Sequence, residues 1–145
     1  MSIKRIGCVA VILLLALAGE APVANGDEGL TAQLRQVVLA NLAAYNREDL
    51  AEAMKSVHTK SPEYGVTRAI LPDQFTAFDA RTELVSFAYI GHDDEFAVAR
   101  VKLKTVDESG EAFEVNVVDT ITVFHQEDGV WKYWSDHILG VEMGQ

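Results

Sequence analysis

The sequence predicts an α+β fold in which three amino-terminal helices pack on a curved, mainly antiparallel sheet of four to six strands. Apolar residues recur at helical spacing between residues 30 and 79, and from about Thr82 the apolar period changes to two residues. The second half also contains two short acidic loops that end in glycine, at Asp107–Gly110 and Gln126–Gly129. Helices followed by consecutive hairpins indicate a helical layer lying across one face of an antiparallel sheet.

Residues 1–26 have the pattern of a secretory signal peptide. Lys4 and Arg5 precede an apolar run over residues 6–18, which is too short to span a bilayer comfortably. Small residues allow cleavage after Ala18 or after Gly26, and an uncleaved amino-terminal anchor is the alternative. We therefore predict an exported protein, periplasmic or extracellular, in which residues 27–145 form a single domain.

Charge and composition exclude several classes of partner and chemistry. Loss of Lys4, Arg5 and Glu20 with the signal would change the net charge from −10 to −11, which disfavours nucleic acid and anionic lipid. The single cysteine, Cys8, lies in the predicted signal, so the mature domain has no disulfide. The four histidines lack metal-ligand spacing and no glycine-rich phosphate loop is present, so we expect neither metal nor cofactor.

Each helix has a recognisable start in the sequence. The first helix, residues 30–46, has an apolar face with the spacing of consecutive turns. Asp49 is followed three residues later by Glu52, which resembles a capping box, and the third helix is predicted to end near Asp79. The predicted amino-terminal caps of the three helices are Thr31, Asp49 and Ser61.

Four strands are predicted, at residues 82–91, 94–106, 112–125 and 130–141. One alternating set in the third strand is predicted to face the core: Phe113, Val115, Val117, Asp119, Ile121, Val123 and His125. Asp119 is the anomalous polar member of this set. A carboxylate there must accept hydrogen bonds, face a hydrated pocket or take up a proton.

Turn geometry suggests which residues lie beside Asp119. If Glu108–Gly110 is a three-residue hairpin loop, Ala99 lies opposite Asp119, and the small side chains of Ala97 and Ala99 leave space above the carboxylate. An equivalent loop at Glu127–Gly129 would place His137 opposite Asp119. We favour this register because it avoids burying Lys132 together with Asp136.

A two-residue turn at Asp128-Gly129 is the alternative, and it would invert the last strand relative to the sheet. Ile138 would then lie opposite Asp119. In the favoured register, Asp119 and His137 form a candidate acid–base pair in a pocket. The predicted pocket-lining residues are Tyr45, His58, Ala97, Ala99, Val117, Ile121, Tyr133 and Ser135.

The same register predicts an apolar patch on the outer face of the sheet, made of Val118, Phe124, Trp134 and Ile138. Such a patch needs cover, most simply from a second copy of the chain. We therefore expect a homodimer that associates through this face.

Two segments carry a family resemblance. Tyr45–Leu50, between two helices, and Asp128–Lys132, at the start of the last strand, resemble the nuclear-transport-factor-2-like superfamily, which includes polyketide cyclases, ketosteroid isomerases and scytalone dehydratase. The resemblance implies a cone-shaped fold with a pocket and sheet-to-sheet dimers. The leading functional hypothesis is an exported domain that binds an unknown small molecule. The alternatives are an isomerase, dehydratase or cyclase using Asp119 and His137, and a dimeric protein-interaction module.

Overall fold

The computed structural model describes residues 26–109 and 115–144. Three helices, α1 (Gly26–Tyr45), α2 (Leu50–Lys55) and α3 (Tyr64–Ala77), precede four strands. The strands are β1 (Ala80–His92), β2 (Phe96–Asp107), β3 (Val115–Glu127) and β4 (Val130–Met143). They form one antiparallel sheet in the order β1-β2-β3-β4. The predicted fold class is confirmed. The predicted signal peptide, apart from Gly26, lies outside the described residues.

Helix α1 provides the helical side of the main core. Its residues Leu34, Val38 and Leu42 are buried at the predicted four-residue spacing. On the sheet side the core contains Ala97, Ala99, Val101, Phe124 and Trp131. Among the described residues, no helix is long and apolar enough to cross a membrane.

The helix starts agree only partly with the predictions. Asp49 caps α2 as predicted, because its carboxylate accepts a hydrogen bond from the Glu52 backbone N–H at 3.0 Å. The predicted cap at Thr31 is wrong, because α1 begins at Gly26 and the Thr31 hydroxyl donates to the Asp27 carbonyl at 2.6 Å. The predicted start at Ser61 is also wrong, because α3 begins at Tyr64.

The predicted pairing of the second and third strands is wrong. The structure pairs Ala99 with Thr122 and Lys102 with Asp119, which is three residues from the predicted register. Directly opposite residues in an antiparallel pair lie on the same face, so an odd shift sends every side chain of β3 to the other side. Thr120, Thr122 and Phe124 therefore face the helices. The predicted loop at Glu108–Gly110 extends outside the described residues.

The register of β4 combines the predicted alternative turn with a β-bulge. Asp128 and Gly129 both have positive φ, at 53° and 78°, as a two-residue type I′ turn requires. Beyond the turn, Phe124 pairs with Tyr133 but Val123 pairs with Ser135, so Trp134 is the extra residue of a bulge. The bulge reverses the alternation of β4 within the strand.

Because of this reversal, Lys132 and Asp136 are not buried together. Avoiding that burial was the reason for favouring the three-residue loop. Lys132 pairs with His125 on the outer face, and its ammonium lies 2.5 Å from the Glu127 carboxylate. Asp136, beyond the bulge, pairs with Thr122 on the inner, concave face. A lysine and an aspartate separated by four residues therefore lie on opposite faces of one strand.

The predicted outer apolar patch is wrong because of the observed register of β3 on β2 and the bulge in β4. Phe124 is fully buried beneath the helices, and Val118, Trp134 and Ile138 line a cavity on the concave side. The outer face carries an ionic group instead, in which Arg100 and Lys102 approach Asp119. The homodimer stays a prediction.

Candidate functional site

A cavity of about 360 Å³ separates the helices from the concave face of the sheet. Its helical wall includes Tyr45 from α1, Ala53 from α2 and Leu71 from α3. The sheet contributes an apolar floor with a row of hydroxyl groups: Val101, Leu103, Thr105, Val118, Thr120, Thr122 and Ile138. The cavity therefore has the mixed surface of a small-molecule pocket, largely apolar with a few polar groups.

Asp136 is the most distinctive polar group in the cavity wall. The Thr122 hydroxyl donates to Asp136 Oδ1 at 2.5 Å, and the Asp136 backbone N–H donates to Glu63 Oε1 at 3.3 Å. Asp136 remains accessible to solvent, but partial burial of its carboxyl raises the pKa above its ordinary value. The nearby Glu63 carboxylate adds to this rise, whereas the Thr122 hydrogen bond and His137 oppose it.

Two threonine hydroxyls lie in a row that leads to Asp136 on the cavity floor. Thr120 and Thr122 are buried, and their Oγ1 atoms lie 3.3 Å apart. The Thr120 hydroxyl donates to the Val101 carbonyl at 3.2 Å, which satisfies this buried group within the sheet. Threonine is thus accommodated on the inner face because its hydroxyl finds an acceptor there.

Two of the predicted lining residues, Tyr45 and Tyr133, lie in the cavity wall. The Tyr45 ring packs edge-on against Phe75 with a centroid separation of 5.3 Å. Tyr133 packs against Phe124 at 5.3 Å. Burial raises the pKa of both phenols, that of Tyr133 strongly, so both remain neutral donors.

The structure separates Asp119 from His137, the two residues predicted to form an acid–base pair. Asp119 pairs with Gly140, and His137 pairs with Ile121. The Arg100 guanidinium donates to both Asp119 oxygens, at 2.9 and 2.5 Å, and lowers the pKa of this carboxyl. The predicted pairing is wrong because of the two-residue turn and of two extra residues in β4, Trp134 and Leu139, which together place Gly140 instead of His137 opposite Asp119.

The remaining predicted lining residues lie outside the cavity wall. Val117 and Ile121 are on the outer face with Asp119, and Ser135 lies there opposite Val123. Ala97 and Ala99 face inward as predicted, but they are fully buried in the core under α1. Alternation along a strand shows which residues share a face of the sheet. It does not show whether that face is the inner or the outer one.

His58 belongs to a separate buried cluster at the end of the sheet. Its Nδ1 accepts the Lys60 backbone N–H at 3.0 Å and lies 3.7 Å from Glu127 Oε1. Its ring packs edge-on against His125 and Trp134, at 4.7 and 5.0 Å. This cluster joins the segment after α2 to the β3–β4 hairpin.

Sequence reasoning missed Asp136, Glu63 and the two threonines as cavity residues. The sequence does contain a signal for the two-residue turn between β3 and β4, since Asp-Gly is the strongest short hairpin motif. The bulge at Trp134 has no comparable local signature. Without it, even the correct turn places Asp136 on the outer face.

A family model described as "Anti-sigma-I factor RsgI9, C-terminal domain" matches residues 36–143 of the chain. The chain belongs to this family. The match to the RsgI9 C-terminal domain family covers α1 from Gln36 onward, α2, α3 and all four strands. No curated protein matches the chain.

Solved structures resemble this chain in fold. A nuclear transport factor 2-like superfamily protein from Salmonella enterica has a TM-score of 0.64 and 12% identity, covering 79% of this chain and 92% of that one. An NTF2-like protein of unknown function from Shewanella oneidensis gives 0.60 and 12%, covering 75% and 98%. A protein of unknown function with a cystatin-like fold, from Nostoc punctiforme, gives 0.61 and 11%, covering 74% and 87%.

At these identities the similarity establishes the fold alone. The chain has the NTF2-like, cystatin-like fold, and the predicted resemblance is confirmed. Because this scaffold carries many unrelated activities, the fold does not determine the function, which depends on the residues of the cavity.

Proposed function

We propose that this domain binds a small, largely apolar molecule in the cavity between its helices and the concave face of its sheet. The observation that carries the proposal is the cavity itself, whose volume of about 360 Å³ lies within the range of small-molecule sites. Core side chains do not fill this space, although a well-packed interior leaves few voids larger than a water molecule. An unfilled apolar surface favours an apolar ligand.

The polar groups of the wall support a defined binding orientation. Asp136 and Glu63 supply acceptors, and the neutral phenols of Tyr45 and Tyr133 supply donors. These groups are separated by apolar surface from Leu103, Val118 and Leu71. A ligand with one or two polar substituents on an apolar body matches this distribution.

Filling the cavity should abolish binding of a neutral fluorescent probe. N-phenyl-1-naphthylamine is uncharged at neutral pH and fluoresces strongly in apolar surroundings. We expect saturable binding to the native domain, and Val118→Phe should weaken it at least about tenfold because Val118 lines the cavity. Fluorescence titration measures the dissociation constant.

Val117→Phe is the matched control, since it adds the same volume at the next position on the outer face. Its affinity should stay within about twofold of the native value. Equal loss of binding in both variants, with both shown to be folded by circular dichroism, would place the probe elsewhere. No saturable binding by the native domain would refute the proposed function.

A second candidate function is general acid–base catalysis at Asp136. A specific observation favours it, namely a carboxyl with a raised pKa that is accessible within an apolar cavity. This is the enzyme alternative drawn from the sequence, transferred from Asp119 to the carboxylate that the structure places in the cavity.

Proton abstraction from 5-nitrobenzisoxazole would test this candidate, since the reaction is catalysed by general bases and is followed by absorbance. We expect the native domain to exceed acetate at equal concentration by about a hundredfold. The rate should rise with pH through the raised pKa of Asp136, because only the ionised carboxylate accepts a proton. Asp136→Asn should remove the excess and Asp119→Asn should retain it; a native rate equal to that of acetate refutes the candidate.

A further inference from the structure

The cavity wall carries charge of only one sign. Asp136 and Glu63 both line it, whereas no lysine, arginine or histidine is among its lining residues in the described part of the chain. The nearest basic side chain along the strand is that of His137, which lies on the opposite face. The interior therefore has negative potential without an internal counterion.

Asp136 has one hydrogen-bonded oxygen and one available oxygen. Thr122 holds Oδ1, but Oδ2 accepts no hydrogen bond from a described residue. Glu63 lies close enough for its Oε1 to accept the Asp136 backbone N–H at 3.3 Å. The Glu63 carboxylate repels that of Asp136 and contributes to its raised pKa, and a cation placed between the two carboxylates would relieve the repulsion.

Aromatic and apolar groups border the acidic part of the cavity. Tyr133 and Trp134 line it on the same strand, and aromatic faces attract organic cations. Ile138, two residues beyond Asp136, also lines the cavity and is 66% exposed. Val141 and Met143 continue this apolar strip, because they pair with Val118 and Asn116 on the concave face.

We propose that the ligand is a hydrophobic amine, bound with its ammonium group at Asp136 and Glu63 and its apolar body along the sheet floor toward Ile138. The proposal deepens the proposed function and rests on it. An ammonium group supplies the donors that Asp136 Oδ2 lacks and neutralises the two carboxylates. A carboxylate or phosphate on the same skeleton would meet like charge and lose affinity.

Three probes with one skeleton test the charge preference directly: 2-naphthylmethylamine, 2-naphthalenemethanol and 2-naphthoic acid. Isothermal titration calorimetry at pH 7.5 compares a cation, a neutral alcohol and an anion of nearly equal shape. We expect the amine to bind at least about tenfold more tightly than the carboxylate, with the alcohol between them. Asp136→Asn should remove most of the amine's advantage while leaving the affinity for the alcohol within about threefold.

Asp119→Asn is the matched control, because it removes a carboxylate on the outer face and should leave the order of affinities intact. Glu63→Gln provides a second test if Asp136→Asn does not fold, and it should reduce the advantage of the amine in the same direction. Binding of the alcohol with no preference for the amine would overturn this inference and leave the proposed function standing. Failure of all three probes to bind would overturn both.

Discussion

Replacing Phe124 with alanine is expected to lower the free energy of unfolding by about 3–5 kcal/mol, the range found when buried phenylalanines are truncated. Phe124 is fully buried, lies opposite Ala97 and packs against the Tyr133 ring. Ala97 is too small to fill the space that truncation would leave, so a cavity would remain in the main core. Urea denaturation followed by tryptophan fluorescence measures the change.

Val123→Ala is the control for this experiment and also tests the register. Val123 is half-buried on the outer face, so its truncation should cost about 1 kcal/mol or less. In the register expected from the sequence, Val123 faces the core and Phe124 faces outward, and the two costs would be reversed. A larger cost for Val123→Ala than for Phe124→Ala would therefore contradict the strand pairing described above.

Acid should destabilise the domain through Glu127, which anchors the segment after α2 to the last hairpin. Lys132 donates to its carboxylate at 2.5 Å, and both the backbone N–H and the hydroxyl of Thr59 donate to Oε1. The Lys132 hydrogen bond is the largest cause of a pKa of about 2, against an ordinary 4.5.

The direction of the pH effect follows from this depressed pKa. The unfolded state takes up a proton near pH 4.5, whereas the folded state resists protonation until about pH 2. The stabilisation by ionised Glu127 is therefore fully present above pH 4.5 and is lost as the pH falls from 4.5 toward 2. Thermal melts at intervals across this range measure the slope.

Glu127→Gln should lower the free energy of unfolding at pH 7 by about 1.5–3 kcal/mol, the usual contribution of hydrogen bonds to a charged group. It should also reduce the slope between pH 4.5 and 2. Asp119 retains a lowered pKa in this variant, so some loss of stability in acid remains. The informative quantity is therefore the difference in pH slope between the native domain and Glu127→Gln. Exposed Glu142→Gln should change stability by less than about 0.5 kcal/mol. Equal pH slopes for the native domain and Glu127→Gln would contradict the assigned role.

Several features could be read from the sequence because their physical causes are local. Leu34, Val38 and Leu42 define the buried face of a helix by their spacing alone. The Asp49 cap depends on a hydrogen bond across three residues. The Asp128-Gly129 turn, which was the alternative and not the favoured prediction, depends on positive φ at two adjacent positions. Together with the order of the segments, these features were sufficient to predict helices packed on an antiparallel meander.

The location of the site was decided by the tertiary structure. Alternation along β3 divides its residues into two sets, and the aliphatic set containing Val117, Ile121 and Val123 was expected to be the core. In the folded chain that set lies on the outer face, whereas Thr120 and Thr122 face inward and bond to partners that only the assembled sheet provides. Hydrophobicity alone could not show this, because a cavity wall accommodates hydroxyls that a filled core would exclude.

The faces on which the carboxylates lie could not be predicted from alternation either. Composition and the order of the segments were enough to predict an acidic α+β domain, and alternation along β3 marked Asp119 as a carboxylate that needs a structural explanation. The pairing of Asp119 with Arg100 on the outer face and the position of Asp136 in the cavity depend on how the strands pair in the folded sheet. The physical reason is that a register shift of three residues and one extra residue at Trp134 each reverse the side to which a strand presents its side chains.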